Sequence, residues 1–432
     1  MTQPLVPWAP PAARARIDEV AAELGDDLSV AHVAKVARAA IDGHERRLGA
    51  EGINLYAGTN SPSPLVRSLF DAGVASRPSM GWPGAKAQTG LDDIDVLEVL
   101  AARTVGAVMG AVHAEIRIQS ATFANLAVFT ALAEPGDTIA VLPEAAGGHN
   151  SHHATGSPGI RGLRVVDLPY DVAARDVDLA ALPAFLAEHR PTVVVIGASL
   201  MLFPHRVEAV REAVDRAGAV LVFDASHIAG LVAGRRFQRP LKQGAHVMTF
   251  STYKSFGGPP GGAIVTDDAA LAERISDAVY PGMTANYDPG RLAPLAAAAA
   301  EAIEDDGAYP DACIAAARSF AADLAAAGLD VVAADRGFTE SHHVAVDASA
   351  FGGGAAAAVR LAEAGIYLSA IALPDQDPAA PEAALRIGTQ EVTRRGVGTA
   401  GLRQVARWCA DVLLHGADPA TVKAKVRELR GA

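Results

Sequence analysis

The chain of 432 residues is poor in cysteine, in aromatic residues and in positive charge. Its two cysteines, Cys313 and Cys409, can make no disulfide framework, so a reducing, cytoplasmic setting is expected. Aromatic residues make up only 5%, and no block of Lys or Arg occurs. Against 49 Asp and Glu stand 37 Lys and Arg, a formal charge of −12, which argues against a nucleic-acid or anionic-membrane surface. No stretch reaches the roughly 18 charge-free apolar residues of a bilayer span. The Ala-rich run Leu292 to Ala302 is too short for one. The N-terminus lacks an apolar run ahead of a small-residue cleavage site, so no signal peptide is expected. What remains is a hydrophobic content of 50%, on a length that suggests two or three domains and a large core.

Ala13 to Leu48 has helical periodicity (Ile17, Val20, Ala21, Leu24), broken in two around Gly25-Asp26-Asp27. Gly52 to Gly90 is rich in Gly, Pro and Ser, the texture of a long functional loop, and a helix follows from Asp92 to Met109. Short Val- and Ile-rich runs then alternate with helical segments. The predicted strands are Thr138–Leu142, Leu163–Val166, Val193–Ile196, Ala219–Phe223, His246–Phe250 and Ala263–Val265. Strands apolar on both faces, joined by helices such as Asn125–Ala133, Leu179–Glu188 and Val207–Ala217, mean an α/β fold with a mainly parallel sheet. Ligands in such sheets bind beyond the carboxyl ends of the strands. Asp288 to Ala327 reads as helical, with a domain boundary inside it. The expected organisation is an N-terminal helical segment (1–50), a large domain (51–295) and a small α+β C-terminal domain (296–432).

Two strand ends carry chemistry. Ala219 to Phe223 runs into Asp224-Ala225-Ser226-His227, and His246 to Phe250 runs into Ser251-Thr252-Tyr253-Lys254, followed by the turn Gly257 to Gly262. Taken alone, the Asp is equally a cap for the next helix and the Lys a solvated side chain. Together they are what a pyridoxal phosphate site requires. The amine forms a Schiff base with the cofactor aldehyde, and the carboxylate keeps the pyridine nitrogen protonated. The Gly-led loop Gly147-Gly148-His149-Asn150-Ser151-His152-His153 offers an imidazole to press on the ring. A metal site is the alternative there, disfavoured by the lack of a carboxylate at ligand spacing. Ser120-Ala121-Thr122 precedes a helix and could hold a phosphate or simply cap it. Arg386, in Leu385-Arg386-Ile387, could clamp a substrate carboxylate or lie on the surface.

In order along the chain, these residues resemble the serine hydroxymethyltransferases. The matching motifs are Ser120 to Asn125 continuing to Asp137, Gly147-Gly148-His149 with His152, Asp224 to Leu231, Thr252-Tyr253-Lys254 with Gly258 to Gly262, and Arg386 to Gly396. The resemblance implies a fold-type-I PLP-dependent transferase (aspartate-aminotransferase-like) with a mainly parallel seven-stranded sheet. It also implies a homodimer with active sites shared between subunits. Carried over, Lys254 is the Schiff-base lysine, Asp224 the pyridinium partner and His149 the stacking ring. Ser199 and His227 bond the phenolic oxygen, and Ser120, Ala121, Thr122 and Thr252 complete the cofactor set. Arg386 and Tyr56 bind substrate.

Departures are concentrated in one-carbon chemistry. Where the family has a catalytic Glu between tyrosines, this chain has Met80 between Pro78 and Gln88. The family's His before the lysine is Tyr253, and its glycine-rich segment that touches the partner's phosphate is Pro281 to Tyr287. Methionine moves no protons, so another group, with His149, His152 and Tyr253 as candidates, must take the proton of a β-hydroxyl. The expected activity is aldol-type cleavage or formation of the Cα–Cβ bond of a β-hydroxy-α-amino acid. Threonine transaldolation to an acceptor aldehyde is the leading reading. A divergent serine or α-substituted serine hydroxymethyltransferase, a threonine aldolase and an inactive PLP-binding protein are the alternatives.

Overall fold

The computed structural model describes residues 6–374, 376 and 382–431. Two helices, α1 (Pro11–Leu24) and α2 (Val30–Glu45), open the chain. Gly25, in the left-handed region at φ 66°, ends the first, and the Ser29 hydroxyl accepts the His32 N–H to cap the second. Neither helix buries a residue. Strand β1 (Ile53–Asn54) follows, and then α3 (Asp92–Met109), which starts with three aspartates in its first turn and stops at left-handed Gly110.

The central sheet has seven strands: β2 (His113–Ile118), β3 (Thr138–Val141), β4 (Arg164–Asp167), β5 (Val193–Ile196), β6 (Val220–Asp224), β7 (Val247–Ser251) and β8 (Gly262–Thr266). Their order is β2-β8-β7-β6-β5-β3-β4, parallel from β7 to β4, with β8 antiparallel to both its neighbours. Strand β5 is Val-Val-Val-Ile, buried throughout, because helices cover both faces of the sheet. One face packs on α3 and α5 (Leu292–Asp305), the other on α4 (Ala121–Leu132) and the helix Ala269–Asp277.

Helix α6 (Ala308–Ala326) begins a second core around an antiparallel three-stranded sheet. That sheet contains β9 (His343–Asp347), β11 (Ser369–Ile371) and β12 (Ala384–Gly388). Strand β10 (Ile366–Tyr367) instead pairs with β1, Ile53 opposite Ile366. Ile53 and Leu55 therefore pack in the second core, although their place in the chain suggests the first. The single helix expected from Asp288 to Ala327 is two, because Asp306 and Gly307 both adopt positive φ. Leu292 to Ala299 belong to the first core, so the change of core falls at Asp306-Gly307, past the expected boundary. Among the described residues no helix is long and apolar enough to cross a membrane.

Candidate active site

Asp224 is the last residue of β6, in the middle of the sheet, on a strand whose last four residues are all buried. Its Oδ2 accepts from Asn125 Nδ2 and lies 2.9 Å from His152 Nε2, while Oδ1 accepts the Ser226 N–H at 2.8 Å. Burial alone would raise this carboxyl, but the bonds from His152, Ser226 and Asn125 overturn that and hold it well below the usual carboxylate range. The acid stays ionised although buried.

Lys254 sits three residues beyond β7, the strand next to β6. It is 8% exposed, its Nζ 3.0 Å from His227 Nε2, and it forms no ion pair among the described residues. Burial pushes the ammonium down to about 8; Asp224 opposes the shift and Arg386 adds to it. The loop after it closes tightly on itself. Thr252 Oγ1 donates to the Pro259 carbonyl at 2.5 Å, and Gly258 N–H donates to Thr252 O.

Lys254 and Asp224 line one cavity, together with Ser120, Ala121 and Thr122 at the N-terminus of α4, His149, Ser199, Ser226, His227, Ser251 and Tyr253. A wider space of about 780 Å³ shares His149 and Ser199 with it and reaches Arg386. Ser120 caps α4 by accepting the Phe123 N–H, which aims the first-turn amides of a twelve-residue helix into the cavity. His149 is driven down to about 4, chiefly by burial, so its ring is neutral, and its Nδ1 lies 2.8 Å from Ser151 Oγ.

Arg386, on β12 of the second core, reaches across to the first. It donates to the Ser199 carbonyl at 3.1 Å and to Ser369 Oγ at 3.2 Å, and its guanidinium carbon stands 5.8 Å from the centre of the Tyr56 ring. No carboxylate of the described residues pairs with it, and burial lowers it from the ordinary arginine value. It is a half-buried cation facing a cavity, not a surface residue. Tyr56 is 37% exposed beside it.

Two expectations are corrected. His152 is not available as a base on the substrate side, because its Nε2 is committed to Asp224 and Asn125 and the ring is 1% exposed. Thr252 does not face the cavity, since its hydroxyl is committed to Pro259; Ser251, one residue earlier and on the opposite side of the strand, does. Asn125 escaped the sequence reading as a site residue, yet it bonds Asp224, Ser151 and, through Oδ1, Thr249 Oγ1. Its neighbours within the Ser120 motif were the available signal. His343, fully buried 5.5 Å from the His227 ring, left no signal in the chain order.

The loop from Pro78 to Gly90 lines neither cavity. It is pinned to α3: Lys86 Nζ donates to both Glu98 oxygens at 2.6 Å, and Tyr287 OH also donates to Glu98. Met80 N–H donates to Gln88 Oε1 at 3.0 Å.

The arrangement suits a small planar ring with an anionic group at α4, a carbonyl toward Lys254 and a basic nitrogen toward Asp224, with room for a second molecule's carboxylate at Arg386. Comparison with known proteins is consistent with it. The serine hydroxymethyltransferase family matches residues 32–409. An α-methylserine aldolase of Variovorax paradoxus is 43% identical over 424 residues, 98% of this chain and 96% of the relative. A serine hydroxymethyltransferase of Methanopyrus kandleri is 42% identical, covering 87% of this chain and 88% of its own. Among solved structures, an L-threonine transaldolase from Pseudomonas fluorescens superposes with TM-score 0.83 at 23% identity, over 96% of this chain and 93% of that one.

Proposed function

The chain belongs to the serine hydroxymethyltransferase family, and from that premise we propose that it is a pyridoxal-phosphate-dependent enzyme of aldol type that works without folate. It cleaves or forms the Cα–Cβ bond of a β-hydroxy-α-amino acid, best supported for a serine that carries an α-substituent. The observation that carries the reading is the placement of a buried amine, an ionised carboxylate and an arginine that pairs with no carboxylate of the described residues around two adjoining cavities that share His149 and Ser199. The family's glutamate position, meanwhile, is Met80.

The residues present fit the cofactor. Ser226 Oγ is buried in the cavity without a partner, Lys254 meets no carboxylate at ion-pair distance among the described residues, and the amide end of α4 borders the same cavity. Ser120, Ala121 and Thr122 would hold the phosphate, Asp224 the ring nitrogen, His149 the ring face and Lys254 the carbonyl carbon. When bound, pyridoxal phosphate supplies an electron sink for the pair left on Cα as a bond to it breaks.

The protein's part is positioning and proton handling. Lys254, held near 8, has a neutral amine available close to neutrality, the form that condenses with carbonyls. Asp224, ionised by its three donors, keeps a proton on whatever basic nitrogen faces it. Arg386 takes the substrate carboxylate by two parallel bonds, which aligns the bond to be broken. His149 is neutral and its Nδ1 accepts the Ser151 N–H at 3.1 Å, so its proton sits on Nε2, which faces a substrate as a donor and not as the acceptor of a β-hydroxyl proton. Burial and the nearby Tyr56 push the Tyr253 phenol up, so it donates rather than accepts.

The full-length likeness to α-methylserine aldolases favours the α-substituted substrate. The breadth of the space between Pro143 and Arg386 supports a second reading, in which an acceptor aldehyde binds there and threonine is transaldolated. We also read the chain as a homodimer, because α2 sets Val30, Val33 and Ile41 along one uncovered stripe. Its two buried, unpaired cysteines fit a cytoplasmic setting.

Assaying the holoenzyme with α-methylserine tests the function. Formaldehyde and alanine should appear at a rate indifferent to tetrahydrofolate; turnover that strictly requires tetrahydrofolate overturns the proposal. With threonine, acetaldehyde released only when a second aldehyde is supplied would select transaldolation instead.

A further inference from the structure

Three imidazoles extend inward from Lys254. His227 Nε2 is 3.0 Å from the amine, the His343 ring centre is 5.5 Å from that of His227, and His342 stacks on His343 at 4.1 Å with a 39° tilt. Exposure is 4% for His227 and 0% for the other two. All three are held below the ordinary histidine value, mainly by burial, so they are neutral rings. In a neutral imidazole one nitrogen donates and the other accepts, and the partner of one decides the role of the other.

His343 has no choice of tautomer. Its Nδ1 accepts the Met201 N–H at 3.2 Å, so its proton sits on Nε2. That N–H lies in the ring plane and is buried without an acceptor. His342 packs against the face of His343, outside the plane into which the N–H points. His227 meets His343 at 60°, and its Nδ1 is likewise buried and unpartnered. A fixed donor and an unused lone pair thus stand in one buried pocket, not bonded directly to each other, with ring centres close enough for one bridging water to join them. The other charged groups acting on these rings are Lys254 itself and Arg386, which carries donors only and can take no proton from His343.

We propose that His343 is a positioning residue that keeps His227 in the tautomer with its proton on Nε2, facing Lys254. His227 then donates toward Lys254 and cannot accept from an ammonium at that position. The arrangement favours the neutral amine over the charged one and leaves a donor aimed at any oxygen of a ligand bound beside it. The inference depends on the proposed function only for the importance of Lys254; the tautomer is a property of the folded chain.

The test is selective ¹⁵N labelling of histidine in the full chain, with and without pyridoxal phosphate, His227 being assigned by its loss in His227→Gln. The expected spectrum shows Nε2 protonated and Nδ1 bare; a proton on Nδ1 overturns the proposal whatever the enzyme's activity. Independently, acylation of Lys254 in cofactor-free protein is followed against pH by mass spectrometry. Half-reaction is expected near pH 8 in the wild type. His343→Phe should shift it upward by about one pH unit, a roughly tenfold slower reaction at pH 8. His343→Gln, whose amide can accept from Met201 and donate to His227, should restore it. An unchanged profile in both variants refutes the role. If His343→Phe fails to fold, the wild-type spectrum and the Gln variant still decide.

Discussion

Asp224 is the residue on which the site's electrostatics turn. Replacing it by Asn keeps the shape and most of the bonding with Asn125 and His152 but removes the charge. Asp224→Asn should bind pyridoxal phosphate with its visible absorbance retained, while kcat/KM falls by roughly 10²–10⁴-fold, the range of a lost proton-holding group. A variant within a few-fold of wild type in steady-state turnover would mean that no basic nitrogen faces this carboxylate. Arg386 makes a companion case. Lysine keeps the charge but loses the fork, so Arg386→Lys should raise KM at least about tenfold, against a smaller change in kcat, when initial rates are measured over substrate concentration.

At the scale of elements, the close approach at the carboxyl ends of the paired strands β5 and β6 leaves no slack. Gly197, one residue past β5, has φ 100°, and a Cβ there would lie 2.1 Å from the Asp224 carbonyl. Gly197→Ala should therefore lower stability by about 2 kcal/mol or more and displace the acid from its donors, read as a reduced Tm and faster cofactor loss on dialysis. The sequence revealed this scaffold well where apolar runs are unbroken. All six predicted strands match within a residue at each end, because strands buried on both faces need Val and Ile on both. Strand β2 went unseen because it lies at the sheet edge and carries Glu115 and Arg117, which pair with each other at 2.6 Å. The lysine, the acid and the arginine could all be located from their places at strand ends or within motifs. The roles of His152, Thr252 and His343 could not, since each depends on which neighbour from a distant segment claims a nitrogen or hydroxyl.

For the whole molecule, buried neutral histidines make the fold acid-sensitive. His342, His343 and His227 refuse protons when folded, His342 down to about 3, whereas the unfolded chain accepts them near 6.5. As pH falls through 6.5 the unfolded state binds more protons, and stability drops by up to about 1.4 kcal/mol per pH unit for each such group. Below the ordinary aspartate value the lowered Asp224 adds to the loss. Tm measured from pH 8 to pH 5 should decline, and His342→Leu, which removes a ring with neither nitrogen partnered, should flatten that decline. On the outer surface, Val30 is 87% and Ile41 63% exposed on a helix that buries nothing. If this stripe meets a second copy, Val33→Glu with Ile41→Glu should shift light-scattering mass toward 44.3 kDa; an unchanged mass would place the interface elsewhere.

The bridge from β12 to the Ser199 carbonyl has a consequence for how the enzyme senses its cargo. Arg386 is rooted in one half of the chain and lends its hydrogen bond to the other only while nothing better is offered. On the proposed reading a substrate carboxylate would compete for that bond, so loading the site would exchange a contact between the two halves of the chain for one to the ligand.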